Sequence, residues 1–98
     1  MVELIKTRTF DKWIKGLRDR RASIRIAARL DRLAVGNPGD VAPVGSGISE
    51  LRINYGKGYR VYYMQRGSVV IVLLCGGDKS SQSKDIQQAK ALAGKWKD

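Results

Sequence analysis

The sequence predicts an α+β fold, with one sheet and a few helices packed on it, and three observations point there. Residues 48–64 alternate apolar and polar side chains around Gly56-Lys57-Gly58, the pattern of a β-hairpin. Residues 10–17 and 22–34 repeat apolar side chains at helical spacing. Residues 69–75 form an unbroken apolar run, the pattern of a strand covered on both faces. The predicted order is an N-terminal strand, a two-helix hairpin, a three-stranded antiparallel meander completing one sheet, and a C-terminal helix. With 98 residues, all of this belongs to one domain, 1–98.

Residues 2–9 alternate loosely and predict the first strand. Thr9 is a candidate N-cap for the helix that follows, with Asp11 in the first turn where the helix dipole favours negative charge. Phe10, Trp13, Ile14 and Leu17 give that helix one apolar stripe. Arg18-Asp19-Arg20-Arg21 predicts a bend. Ser23, Ile26, Ala27, Leu30, Leu33 and Ala34 then give a second stripe, which Gly36-Asn37-Pro38-Gly39 ends. Residues 40–47 read as a loop. In the hairpin, Tyr55 is expected opposite Tyr59, Ile53 opposite Val61 and Leu51 opposite Tyr63. Gly67-Ser68 turns the chain into the apolar strand. Gly76-Gly77-Asp78-Lys79-Ser80-Ser81-Gln82 is a polar loop. Ile86, Ala89, Ala93 and Trp96, with Leu92 beside them, face inward from the last helix.

Charge and composition narrow the chemistry. Nineteen Lys and Arg against nine Asp and Glu give a net charge of +10, which favours a polyanionic partner. The chain has no histidine, so the usual general base and any serine–histidine triad are excluded. Cys75 is the only cysteine and reads as a buried, inert thiol, so no intramolecular disulfide or thiolate metal cluster is expected. The charged N-terminus does not read as a secretory signal, and no run approaches membrane-spanning length, so a cytoplasmic protein is expected.

Alternation puts Arg52, Asn54, Arg60 and Tyr62 on one hairpin face, with no acid expected close enough to neutralise them. Arg52 and Arg60 would meet one phosphate, with Lys57 at the turn and Lys79 beyond the third strand. Tyr62 offers a ring for base stacking, worth ~1–3 kcal/mol per base. The alternative is that the arginines pair with Glu50 or Asp78. Tyr55, Tyr59 and Tyr63 fall on the apolar face and read as core. Arg21, Arg25, Arg29 and Arg32 share one helical face, either a grip for phosphates, a solvated surface or a dock for an acidic protein.

The element order, the strand Glu50-Leu51-Arg52-Ile53, the strand Gly58-Tyr59-Arg60-Val61 and the 76–82 loop together resemble the RelE/ParE toxin superfamily, and within it the HigB-like addiction-module killer proteins. The resemblance covers essentially the whole chain. It implies a RelE/ParE-like fold and the toxin of a type II toxin–antitoxin system. That toxin is expected to inhibit translation by ribosome-dependent, metal-independent endonucleolytic cleavage of mRNA. No cofactor is implied. Arg52, Arg60 and Lys79 match catalytic positions. Lys57, Asn54, Tyr62, Asp78, Gln82, Arg21, Arg25 and Arg29 are the expected RNA contacts. Asn54 stands where relatives carry a second basic residue, and Asp85 where some carry a proton-transfer tyrosine or histidine. Implied partners are an antitoxin with a helix-turn-helix DNA-binding domain, the 70S ribosome with its mRNA, and promoter DNA through the antitoxin complex. The same resemblance also admits DNA gyrase inhibition as by ParE, and the +10 charge with the basic face would suffice for RNA binding without catalysis.

Overall fold

The computed structural model describes residues 2–96. Strand β1 (Glu3–Lys6) leads into helix α1 (Arg8–Lys15) and helix α2 (Arg20–Ala34). Strands β2 (Val41–Gly45), β3 (Ile48–Ile53), β4 (Tyr59–Arg66) and β5 (Val70–Gly77) follow, and helix α3 (Gln82–Lys95) closes the chain after a short turn of 3-10 helix at Lys79–Ser81. The five strands form one mixed sheet in the order β1-β5-β4-β3-β2. β1 runs parallel to β5, and every other pair is antiparallel.

The sequence-based α+β expectation is corrected in strand count and order. Residues 40–47 do not form a loop throughout, because β2 pairs with β3 there. Its signal is weak because Pro43 and Gly45 interrupt it, residues that an edge strand tolerates and a central one does not. β1 joins the meander on its far side, through β5.

Helix starts also move. Thr7, not Thr9, caps α1: its hydroxyl accepts from the Phe10 amide at 3.0 Å and donates to the Leu74 carbonyl at 2.6 Å, fastening the helix to β5. Asp19 caps α2 by accepting from the Ala22 amide at 3.1 Å, so Arg20 and Arg21 lie inside the helix and not in a bend. Ala22 takes the buried position expected of Ala27, which is exposed.

The hairpin register is two residues from the one expected: Ile53 faces Tyr59, Arg52 faces Arg60 and Leu51 faces Val61. The turn is longer than Gly56-Lys57-Gly58 alone, since Tyr55 N donates to Ile53 O and Gly58 N to Tyr55 O. Gly56 and Gly58 sit at φ 56 and 74, where glycine is the residue at ease. A slip of two preserves parity, so the faces are those expected.

Each face has its own core. Phe10, Ile26, Leu30, Leu51, Val61 and Leu73 pack between the sheet and α1–α2. Ile48, Tyr62, Met64, Val72, Leu74, Cys75 and Ala89 pack between the sheet and α3. The β4–β5 register shifts between Tyr62 and Tyr63, and the extra residue on β5 lets Leu74 and Cys75 both face α3. The strand starts at Val70, and Val69 is exposed.

Candidate functional site

The site is built around a carboxylate that the charge pattern concealed. Glu50 sits in β3, opposite Tyr62, and is 1% exposed. Its Oε1 accepts from Arg52 Nε at 3.1 Å and from one terminal nitrogen of Arg60 at 3.3 Å. Its Oε2 accepts from the Tyr62 hydroxyl at 3.0 Å and from Gln82 Nε2 at 2.8 Å. Burial alone would raise the Glu50 pKa. Hydrogen bonds from Gln82, Arg52 and Tyr62, with the charge of Arg60, outweigh it and hold the carboxyl below its ordinary 4.5.

This corrects the expectation of an unneutralised basic face and matches the alternative in which the arginines pair with Glu50. Arg52 and Arg60 do lie directly across from each other, but with Glu50 between them the trio carries a net charge of +1. Arg52 keeps an exposed fork, with Asp40 at 3.9 Å, whereas Arg60 is 13% exposed. The buried Nε of Arg60 has no hydrogen-bond partner among the described residues. Parity along β3 and β4 was the available signal, since it puts residues 50, 52, 60 and 62 on one face.

Tyr62 is not a stacking platform. Its ring is fully buried under α3, and burial, then the hydrogen bond to Glu50, push its hydroxyl well above the ordinary range. Gln82, at the start of α3, is spent on Glu50. Asn54 donates to the Asp40 carboxylate at 3.3 Å.

The lysines form a second group at the hairpin tip. Lys57, Asp78, Lys79 and Ser80 line an open cavity of about 530 Å³, and the Lys79 amide donates to the Lys57 carbonyl. Asp78 caps the 3-10 turn through Ser80. The hydrogen bond from the Ser80 side chain is the largest influence and lowers its pKa; burial opposes it, and the Ser80 and Ser81 amides with the charge of Lys57 keep the net shift downward. Beside this turn, buried Asp85 accepts from the Ser81 hydroxyl and lies over Gly77, where a Cβ would stand 1.8 Å from Oδ2.

The α2 arginines divide. Arg29 donates to the carbonyls of Arg52, Pro38 and Asp40, which makes it a staple between α2 and the β2–β3 end, not a free phosphate grip. Arg25 lies 4.6 Å over the Tyr55 ring, a cation–π contact. Arg25, Arg29, Arg32 and Asn54 line one groove of about 290 Å³, and Arg21 is exposed one turn earlier. Cys75 is buried as expected, and burial, with Asp85 nearby, pushes its thiol up to about 12. Among the described residues no three His, Cys, Asp or Glu side chains gather as metal ligands would, and no helix is long and apolar enough to cross a membrane.

Comparison with known proteins places the chain in a family. An uncharacterised protein of Haemophilus influenzae (strain KW20 / Rd) is 52% identical over 92 residues, spanning 94% of this chain and 93% of the relative. Residues 12–96, from within α1 through the end of α3, match the family described as phage derived protein Gp49-like (DUF891). The chain belongs to the Gp49-like family.

Proposed function

We propose that this protein is a RelE/ParE-type toxin of a type II toxin–antitoxin pair, HigB-like in kind, which stops translation by cutting mRNA on the ribosome. The observation that carries the reading is the cross-strand pair of Arg52 and Arg60, held from below by Glu50 and flanked at the turn by Lys57 and Lys79. The net charge of +10 and membership of the Gp49-like family, often associated with toxin–antitoxin modules, support it.

In this reading the substrate supplies its own nucleophile. A ribose 2′-oxygen gives up its proton and attacks the adjacent phosphorus. The bond to the 5′-oxygen breaks, and that oxygen takes up a proton, leaving a 2′,3′-cyclic phosphate and a free 5′-hydroxyl. Arg52 presents its exposed fork to the phosphate, and Arg60 adds charge behind it as the pentacovalent state forms. Glu50, ionised and bonded to four donors, orients the pair and is a poor proton acceptor. Lys57 and Lys79 hold flanking phosphates or carry the proton. Removing either arginine's charge should raise the barrier by about 2–4 kcal/mol.

The Glu50 neutralisation favours a second reading, in which the basic surface binds and does not cut. Mapping transcript 5′ ends after expression separates the two. Codon-associated breaks that vanish in Arg52→Ala/Arg60→Ala support cleavage. Ribosome binding with intact mRNA supports binding alone, and gyrase-linked double-strand DNA breaks would instead indicate a ParE-type target. The expected partner is an antitoxin bearing a helix-turn-helix domain, whose acidic segment would dock on the α2 arginines or the sheet end.

A further inference from the structure

Helix α2 turns toward solvent a face that its own packing does not explain. Ala22, Ile26, Leu30 and Leu33 are its buried residues and point to the sheet. On the opposite side stand Ile24, 63% exposed, and Val35 at the helix end, 64% exposed. They are two of the three large apolar side chains exposed among the described residues. Their separation in sequence makes about three turns of α-helix, so they lie on one line, with exposed Ala28 between them. One exposed apolar residue is ordinary, but a strip along the outermost edge of a helix is a contact surface.

The strip has a charged border. Arg21, Arg25 and Arg32 run beside it at i, i+4 and i+11, and Arg20 stands on its other side with Asp31. Arg20, Arg21 and Arg32 enter no ion pair among the described residues. Arg25 is steadied over the Tyr55 ring, and Arg29 is pinned to carbonyls. The groove that these two line with Ala28, Arg32, Ile53 and Asn54 is therefore preformed. Such a surface takes apolar side chains along its middle and carboxylates along one flank.

Charge and apolarity together select the occupant. RNA would use the arginines but gains nothing from Ile24 and Val35. The strip also faces away from the sheet, whereas Arg52 and Arg60 lie on the sheet face covered by α3. A second copy would set arginine against arginine. Nor does this chain hold an acidic segment of its own, since its nine acidic residues stand singly, no two within six positions of each other. The strip is straight and spans roughly 16 Å, which suits a helix of about three turns laid alongside. We propose that the outer face of α2 receives an acidic amphipathic helix of a different protein. Its apolar stripe would rest on Ile24, Ala28 and Val35, and its carboxylates on Arg21, Arg25 and Arg32. In the toxin reading above that protein is the antitoxin. To that extent the proposal rests on that reading, and it assigns the acidic segment to α2 and not to the sheet end.

Two synthetic helical peptides, titrated into the intact protein and followed by amide NMR signals, test it. One carries leucine along one stripe and glutamate on one flank; the other has lysine in place of the glutamate. The glutamate peptide should shift Ile24, Ala28, Arg32 and Val35 and bind at least about tenfold tighter than the lysine peptide. Ile24→Ser with Val35→Ser, and separately Arg21→Glu with Arg32→Glu, should each weaken it by about tenfold or more. Unchanged melting temperatures would show that both variants fold. Equal binding of the two peptides overturns the proposal, as do shifts confined to other elements. It also falls if a single-stranded oligouridylate displaces the peptide from α2 and binds the serine variant as tightly as the wild type, which would mark a nucleic-acid surface. Wild-type dimers that become monomers in the serine variant, by sedimentation equilibrium, would overturn it by giving the strip to a second copy. Transcript 5′ ends keep this apart from cleavage, because the serine variant should give the same breaks as the wild type. Peptide binding at α2 without any breaks would remove cleavage and leave the docking face standing. Breaks without peptide binding would do the reverse.

Discussion

Glu50 takes four donors on two oxygens and stands between two guanidinium groups that would otherwise repel each other across adjacent strands. Its energetic role is therefore conditional on its charge. The folded carboxyl titrates below its ordinary 4.5, so between the folded and unfolded values the unfolded chain binds more protons. The stability it contributes is complete above about pH 4.5 and is lost as the pH falls through the folded value. Glu50→Gln should remove that acid-side decline from a plot of unfolding free energy against pH. Glu50→Ala, which leaves two half-buried cations without a counter-charge, should cost on the order of 3–5 kcal/mol at neutral pH. A wild-type profile that is flat from pH 6 to pH 3 would refute the role. The same residue shows why the site was only partly legible in the sequence. Face membership follows from parity, and parity correctly grouped 52, 60 and 62, whereas Asn54 lies past the end of β3 and lines the groove of the α2 arginines. Which member of a face lies deepest depends on the helix laid over it, and α3 put the acid and Tyr62 inside.

Among the elements, β5 is the most constrained. It is covered on both faces, and beyond its extra residue the two glycines point opposite ways, Gly76 beneath Trp13 and Gly77 beneath Asp85. The sequence marks this pair as the start of a polar loop, since glycine next to Asp-Lys-Ser-Ser is an ordinary loop composition. Packing gives them another meaning: each is a place where a side chain from a helix reaches the sheet backbone. Gly77→Ala would set a Cβ inside the Asp85 carboxylate and should destabilise by about 1–3 kcal/mol. Thermal melts should register roughly 4–8 °C for each kcal/mol. A melting temperature within a degree of wild type would show that α3 shifts freely, contrary to its tie to Glu50. β2 escaped the sequence for the opposite reason: one edge strand, broken by Pro43 and Gly45, carries little periodic signal. The segments with a sustained apolar pattern, α1, α2, α3, β3, β4 and the unbroken run of β5, were recovered because burial of a long stripe decides structure over local propensity.

At the scale of the molecule, positive charge is abundant but much of it is committed. Lys15 is bridged to Asp11, Arg29 is bound by carbonyls, and Arg52 and Arg60 share Glu50. The cations left at the hairpin tip should therefore weigh heavily in polyanion binding. Lys57→Ala is expected to weaken binding to single-stranded RNA for all sequences alike and to lower the slope of log affinity against log salt by about 0.7, the value for one phosphate contact. Fluorescence anisotropy over a salt series measures this, and an unchanged slope would take Lys57 out of the interface.

The parallel seating of β1 beside β5 has a consequence in time. Thr7 and Leu74, which hold the two together, are 67 residues apart in the chain, so the strand made first waits for a partner that is made nearly last. Until that partner emerges, β1 and the α1–α2 pair lack the sheet on which their apolar faces close, because a contact this distant carries the loop-closure cost of everything between. Stalled nascent chains that end before residue 70 should be cut by protease along their whole length, and chains that extend through α3 should resist. For a protein proposed to attack translation, this schedule leaves the ribosome that makes it unharmed until synthesis is almost complete.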